Sequence, residues 1–158
     1  MSTLIAYATT HGCTENAAQM LERLLDDEVS LVNLKKRPRP DLSSFDTIII
    51  GGSIHVGRIQ GKVKRFCQQN LDTLKQKRLG LFLCCMEEGD TAQKEFDEAF
   101  PAEIRNHAAV TGLFGGAFNF DKMNFIQRAM VKKAAGITES VSKIKEDNIQ
   151  RFAAALKG

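Results

Sequence analysis

The residues best suited to bind a ligand form a hydroxyl-rich turn near the start of the chain. Residues 9–14 read Thr-Thr-His-Gly-Cys-Thr, between an apolar stretch at residues 4–8 and a helix-forming stretch that starts at Glu15. Such a turn gathers hydroxyls and backbone N–H groups at the positive end of a helix dipole, which suits a phosphate. A helix cap, worth about 1 kcal/mol, needs only one of the three hydroxyls. We predict a phosphate site formed by the following residues: Thr9, Thr10, His11, Gly12, Cys13 and Thr14.

The composition of this turn limits the ligand. It holds one glycine, where a dinucleotide fingerprint has three, and it lacks the Gly-Lys-Ser/Thr ending of a triphosphate-binding loop. A phosphatase loop needs an arginine six positions after Cys13, where this chain has Gln19. Since no lysine or arginine lies in the turn, neutral donors must hold the phosphate. This pattern favours a bound phosphomonoester cofactor, and flavin mononucleotide (FMN) is the leading candidate.

A second turn, at residues 51–58, combines glycines with apolar and basic side chains. Glycines let the backbone approach a flat ligand closely. We predict that the following residues line a flavin ring: Gly52, Ser53, Ile54, His55 and Val56. His55 or Arg58 could stabilise negative charge on the reduced ring, which makes His55 the candidate catalytic residue. The alternative is that the glycines only end a strand and that His55 is a surface histidine.

A third loop, at residues 84–90, reads Cys-Cys-Met-Glu-Glu-Gly-Asp. Its backbone amides and its soft apolar side chains could hold the edge of a ring. We therefore expect cofactor contacts from Cys84, Cys85 and Met86. Alternatively, the three acids of this loop only form a solvated surface before the next helix.

Alternating strand and helix patterns position these turns. Strand-length apolar stretches occur at residues 4–8, 29–34, 46–52, 79–85 and 109–114, and helical patterns at residues 15–27, 62–74, 91–100 and 142–156. The prolines at positions 38 and 40 indicate a loop. This rhythm is typical of a parallel sheet covered on both faces.

We predict an α/β fold: a doubly wound, five-stranded parallel sheet with strand order 2-1-3-4-5 and helices on both faces. In such a sheet, ligands bind beyond the carboxyl ends of the strands, at the switch point between strands one and three. The first two turns follow these strands, so both fall at the switch point.

Length and composition indicate one domain, residues 1–158. The net charge of +3 is mild, and we predict no nucleic-acid partner. The apolar stretches are too short to span a membrane and the N-terminus does not resemble a signal peptide, so we expect a cytoplasmic protein. The four cysteines have no metal-type spacing; we expect reduced thiols and no metal site.

An inserted segment at about residues 117–136 separates the fifth strand from the last helix. From residue 122 to residue 136 it contains four basic residues and no acid, in an amphipathic pattern. A basic amphipathic helix suits an anionic membrane surface, which predicts peripheral contact through residues 122–133. The alternative is a helix docked on the domain with a solvated basic edge.

Three stretches carry a family resemblance. Residues 9–16 resemble the phosphate loop of flavodoxins. Together with residues 50–57 and 115–133, they make nearly the whole chain similar to the flavodoxin-like protoporphyrinogen oxidases that use menaquinone. The resemblance implies non-covalent FMN and transfer of electrons from a porphyrinogen to a membrane quinone.

Three functions follow from these observations. The first is an FMN-dependent oxidoreductase that passes electrons from a reduced small-molecule substrate to a quinone-type acceptor. The second is a flavodoxin-type electron-transfer protein that serves partner redox proteins. The third is an interaction domain that keeps the scaffold without a flavin.

Overall fold

The computed structural model of the chain describes residues 2–10, 12–26, 28–55, 57–118, 141–142 and 144–157. The strands are β1 (Ser2–Tyr7), β2 (Glu28–Asn33), β3 (Thr47–His55), β4 (Arg58–Ile59), β5 (Arg78–Cys84), β6 (Val110–Leu113), β7 (Ala117–Phe118) and β8 (Val141–Ser142). The helices are α1 (Cys13–Leu24), α2 (Gly61–Gln69), α3 (Leu71–Lys75), α4 (Gly89–Ala99), α5 (Ala102–His107) and α6 (Glu146–Lys157).

Five parallel strands form the main sheet in the order β2-β1-β3-β5-β6. This is the predicted order 2-1-3-4-5, so the predicted flavodoxin-like α/β architecture is confirmed. The short strand β4 pairs antiparallel with the end of β3, and β7 and β8 form a separate two-stranded sheet. None of the described helices has the length and apolarity that crossing a membrane requires.

Side chains of the sheet alternate between two cores, one on each face. In β3, Ile48 and Ile50 pack into the first core, and Ile49 packs into the second. Helices α2 to α5 cover the first core with Val63, Phe66, Leu74, Phe96 and Ile104. Helices α1 and α6 cover the second with Ala17, Leu21, Ile149 and Phe152. Both faces are therefore covered, as the continuous apolar strands predict.

The connection from β2 to β3 crosses β1 without a helix or strand, as its prolines predict. Its first residue, Leu34, donates its N–H to the Tyr7 carbonyl over 2.7 Å, and Leu34 and Leu42 are buried in the first core. Four basic side chains of this loop are exposed: Lys35, Lys36, Arg37 and Arg39.

Several elements differ from the sequence prediction. The helix predicted over residues 62–74 is two helices, because the chain leaves helical geometry at Asn70, whose side-chain amide donates to the Phe66 carbonyl over 2.8 Å. The last helix begins at Glu146, and β8 precedes it. Strand β4 and helix α5 were not predicted, because elements of two and six residues carry too little periodicity.

Most of the predicted insertion lies outside the described residues. Its first residues form β7, which pairs with β8 through Ala117–Ser142 and Phe118–Val141. The predicted basic helix at residues 122–133 falls in the part that the structure does not describe.

Candidate functional site

The first two predicted turns leave the sheet side by side. Strands β1 and β3 are neighbours, and Tyr7, the last residue of β1, pairs with Gly51. The next residue, Ala8, donates its N–H to the Gly51 carbonyl over 3.3 Å. The turn at residues 9–14 (the phosphate turn) and the turn at residues 51–58 (the second turn) therefore meet at the carboxyl edge of the sheet, at the predicted switch point.

Among the described residues, the phosphate turn contains a hydrogen bond between Gly12 and Thr9. Gly12 donates its N–H to Thr9 Oγ1 over 2.9 Å, and its φ of 92° is a left-handed conformation that favours glycine. Gly12 is also the N-cap of α1, which has no side-chain cap. The N–H groups of the first helical turn have no acceptor within the helix, so they suit an anion above Gly12. The Thr9 hydroxyl accepts from Gly12 and keeps its own proton for donation.

The Thr14 hydroxyl at the start of α1 is buried and is poorly satisfied by the protein itself. The Thr14 side chain is 0% exposed, and within the described part of the chain its Oγ1 has no hydrogen-bond partner other than the Cys84 thiol. The nearby Cys84 thiol is too weak a partner to satisfy a buried hydroxyl. Leaving such a group unsatisfied costs about 1–3 kcal/mol. A phosphate oxygen accepts from this buried hydroxyl only after the turn opens, whereas the half-buried Thr9 and Thr10 hydroxyls fit a phosphate group as they stand.

The second turn is a hairpin that folds back over its own strand. Strand β3 runs to His55 and returns as β4, with Ile54 opposite Ile59 and His55 opposite Arg58. Ile59 is buried, and a Cβ on Gly52 would lie 2.6 Å from Ile59 Cδ1. A side chain at position 52 would therefore require the Ile59 side chain to shift.

A residue outside the predicted set joins the two turns. Gln60 follows β4, and its Nε2 lies 3.2 Å from Thr10 Oγ1 and 2.7 Å from Ser53 Oγ. Its Oε1 accepts the Ser53 N–H over 2.9 Å, and Ser53 Oγ lies 3.3 Å from His55 Nε2. No sequence pattern points to Gln60, because it is 50 residues from Thr10 and reaches it only when the hairpin has formed.

Comparisons with known proteins agree with this geometry. Residues 4–144 match the family model described as "Flavodoxin domain". The chain belongs to the flavodoxin domain family. A search of curated proteins finds no match.

Similar solved structures include three flavodoxins, and each match covers 99% of this chain. Flavodoxin 2 of Bacillus cereus has 19% identity, a TM-score of 0.61 and 98% of its own chain covered. Two-electron reduced Megasphaera elsdenii flavodoxin has 18% identity, a TM-score of 0.59 and 99% coverage. Fusobacterium nucleatum flavodoxin bound to flavin mononucleotide has 16% identity, a TM-score of 0.53 and 96% coverage. At these identities the matches show the fold.

The third predicted loop of this flavodoxin domain begins buried and ends exposed: Cys84 and Cys85 are buried, and residues 87–90 are exposed. Cys85 donates its N–H to the Gly115 carbonyl over 2.8 Å, and burial raises the pKa of its thiol to about 11. A hydrogen bond with the Cys13 side chain, together with burial, raises the pKa of the Cys84 thiol. This contact joins the third loop to the phosphate turn. Met86 is half-buried and packs against Gly116.

The remaining predicted positions divide into two groups. His11 and Val56 lie outside the described residues. Ile54 and His55 are half-buried at the hairpin, and Arg58 is exposed beside them. No group of residues suited to a metal ion occurs within the described ranges.

Proposed function

We propose that this flavodoxin domain binds FMN non-covalently and transfers electrons between partner redox proteins. The observation that carries the proposal is the turn of neutral donors at the start of α1, where the half-buried Thr9 and Thr10 hydroxyls accept hydrogen bonds from the protein and keep their protons for a ligand. Membership of the flavodoxin domain family supports the same cofactor. When bound, FMN supplies the redox chemistry, and the protein supplies binding, orientation and shielding from water.

The two turns bind different parts of the cofactor. The phosphate is held by Thr9, Thr10, His11, Gly12, Cys13 and Thr14. The ring is lined by Gly52, Ser53, Ile54, His55 and Val56 on one side and by the loop of Cys84, Cys85 and Met86 on the other. Thr9 Oγ1 and Thr10 Oγ1 already accept hydrogen bonds from Gly12 and Gln60, so their protons are available to the ligand. Backbone N–H groups of the first turn of α1 complete the set of donors.

Arg58 carries a positive charge at the open side of the hairpin, and the His55 ring lies beside it. They face each other across the β3–β4 pair, and His55 Nε2 is held near Ser53 Oγ. A ring N–H or a cation at this position stabilises a ligand that gains negative charge, and donation from the ring N–H is the role we assign to His55. The His55→Ala variant should therefore lower the midpoint potential of the loaded protein, and an unchanged potential would remove this role.

The phosphate site is tested by titrating the apoprotein with FMN and with riboflavin, which lacks the phosphate, while flavin fluorescence is recorded. Thr14→Val keeps the side-chain shape but removes the hydroxyl. We expect it to weaken FMN binding by about tenfold or more, since hydrogen bonds to charged groups contribute about 1.5–3 kcal/mol. Riboflavin binding should change little.

The apoprotein gives an independent readout of the same variant. Because the Thr14 hydroxyl is poorly satisfied, Thr14→Val should leave the free energy of unfolding unchanged or raise it. Thr47→Val removes another buried hydroxyl at the opposite end of β3 and should leave FMN affinity unchanged. Equal FMN affinity of the Thr14→Val variant and the natural sequence would contradict the phosphate site.

The oxidase function is a second candidate, and it rests on the resemblance of residues 50–57 and 115–133 to the protoporphyrinogen oxidases. Electron transfer from the reduced, FMN-loaded protein to a small redox protein supports the carrier. Turnover of a porphyrinogen with a menaquinone, in the absence of other proteins, supports the oxidase instead.

Peripheral membrane contact through residues 122–133 belongs to the same oxidase hypothesis, since its acceptor is a membrane quinone. The basic composition of this segment supports it. The test is co-sedimentation with anionic phosphatidylserine vesicles at low and high salt. Binding that salt abolishes is expected, and no binding at low salt would contradict the contact.

A further inference from the structure

We propose that Gln60 is a positioning residue that directs the Thr10 hydroxyl toward the phosphate and fixes the two turns relative to each other. The inference rests on the proposed FMN site. It follows from the hydrogen bonds of one side-chain amide, which has a single acceptor atom and a single donor nitrogen.

The neighbours of Gln60 decide which way its amide points. A backbone N–H can only donate, so the amide atom 2.9 Å from Ser53 N must be the carbonyl oxygen Oε1. The amide nitrogen Nε2 therefore faces the hydroxyls of Thr10 and Ser53. Nε2 carries two protons, one for each hydroxyl, and all three contacts are satisfied at once.

This orientation sets the direction of the Thr10 hydroxyl. Because Thr10 Oγ1 accepts a hydrogen bond from the Gln60 amide, the proton of the Thr10 hydroxyl points away from Gln60 and is available to a ligand oxygen. A carboxylate at position 60 would reverse this bond, since a carboxylate only accepts and would draw the Thr10 proton to itself. Gln60 thus makes the Thr10 hydroxyl a donor to an anion without touching the anion.

The Gln60 side chain also links the two turns to each other. Gln60 bridges the phosphate turn at Thr10 and the second turn at Ser53, and its neighbour Ile59 is buried beneath Gly52. A cofactor with a phosphate and a ring needs both turns at a fixed separation. Holding that separation before binding reduces the ordering cost of binding.

The variant Gln60→Glu removes the hydrogen bonds that Gln60 donates and keeps the one that it accepts from Ser53 N–H. Its carboxylate still accepts the Ser53 N–H, so the hairpin keeps its anchor, but it donates to neither hydroxyl. We expect FMN affinity to fall by about tenfold or more and riboflavin affinity to change by less than about threefold. The matched control is Gln69→Glu, which places the same charge at the exposed end of α2 and should leave both affinities unchanged.

Two further readouts distinguish a positioning role from general damage. As pH is lowered to about 4, below the ordinary glutamate pKa of about 4.3, the carboxyl group introduced by Gln60→Glu gains a proton that it can donate. The FMN affinity of this variant should then approach that of the natural sequence at the same pH. In addition, Gln60→Glu combined with Thr10→Val should weaken FMN binding no more than the stronger single change, because both act through one hydroxyl.

The outcomes separate this inference from the proposed function. If the natural sequence binds no FMN, the proposed function and the inference both fail. If it binds FMN and Gln60→Glu binds it equally well, or loses riboflavin affinity equally, the inference alone is overturned. Additive effects of Gln60→Glu and Thr10→Val would also overturn it.

Discussion

The polar atoms of this site differ in the hydrogen bonds that they make within the protein. The hydroxyls of Thr9, Thr10 and Ser53 each accept a hydrogen bond from a protein N–H, whereas Thr14 Oγ1 has only the weakly bonding Cys84 thiol among the described residues. Oxygens that accept from the protein keep their protons for a ligand. The turn therefore offers several neutral donors and no compensating side-chain charge within it, as its composition predicts.

The buried thiols lead to a prediction at the same scale. None of the four cysteines forms a disulfide and all four are buried, and burial raises the pKa of Cys67 to about 12 and that of Cys85 to about 11. Because the thiolate is the reactive form, we expect negligible labelling of the native protein by Ellman's reagent at about pH 8 and labelling of all four thiols after unfolding in guanidinium. Rapid native labelling of any cysteine would contradict the buried positions.

At the scale of elements, packing around the end of β3 depends on a glycine. Phe82, Phe114 and Phe152 form an aromatic cluster in the second core, with Phe82 and Phe114 stacked at 4.7 Å between ring centroids. Phe82 pairs with Gly51 across the sheet, and a Cβ on Gly51 would lie 2.0 Å from its ring. The ring thus occupies the space that any other side chain at position 51 would need.

Replacing this glycine tests the packing. We expect Gly51→Ala to lower the free energy of unfolding in urea by about 1–3 kcal/mol, because a buried ring must move. Gly61→Ala is the matched control: nothing lies within 4 Å of its Cβ, and alanine favours the helix that begins there. It should leave stability unchanged or raise it by up to about 1 kcal/mol. Equal losses in the two variants would refute the contact with Phe82.

Sequence patterns predict the helices and strands whose apolar residues recur at a regular spacing, and they miss the elements that form only through tertiary contacts. The apolar strands, their order and the phosphate turn follow from residue type and spacing, because burial on two faces demands continuous apolar runs. The break at Asn70 and the two-residue strand β4 arise from local hydrogen bonds and hairpin closure. Gln60 belongs to this second group, since its partners are distant along the chain.

Charge is unevenly distributed over the whole molecule. Residues 34–70 contain eight basic and two acidic residues, a net charge of +6, whereas the entire chain has +3. This stretch includes the β2–β3 loop, the hairpin and α2, which flank the two turns of the site. The β2 side of the carboxyl edge is therefore positive and should attract an acidic partner, whereas the exposed acids Glu87, Glu88 and Asp90 follow β5 on the other side of the site.

The salt dependence of the electron-transfer rate tests this uneven charge. Electron transfer from the reduced, FMN-loaded protein to an acidic rubredoxin should slow about tenfold from low to high salt, and transfer to a basic c-type cytochrome should accelerate. Lys35→Glu/Lys36→Glu should weaken the salt effect with rubredoxin and leave FMN affinity unchanged. The control Arg23→Glu/Lys94→Glu makes the same charge change at exposed positions elsewhere. Identical salt effects with both acceptors would contradict the prediction.

The helix-free connection between β2 and β3 also determines where a protease would first enter. Exposed loops are the preferred sites of cleavage, and this one offers trypsin four basic residues. Arg37 and Arg39 each precede a proline, which trypsin does not cut, so only the bonds after Lys35 and Lys36 are open. A nick there separates a β1–α1–β2 fragment from the rest of the chain. Because β1 lies between β2 and β3, the two fragments should stay associated as a folded complex.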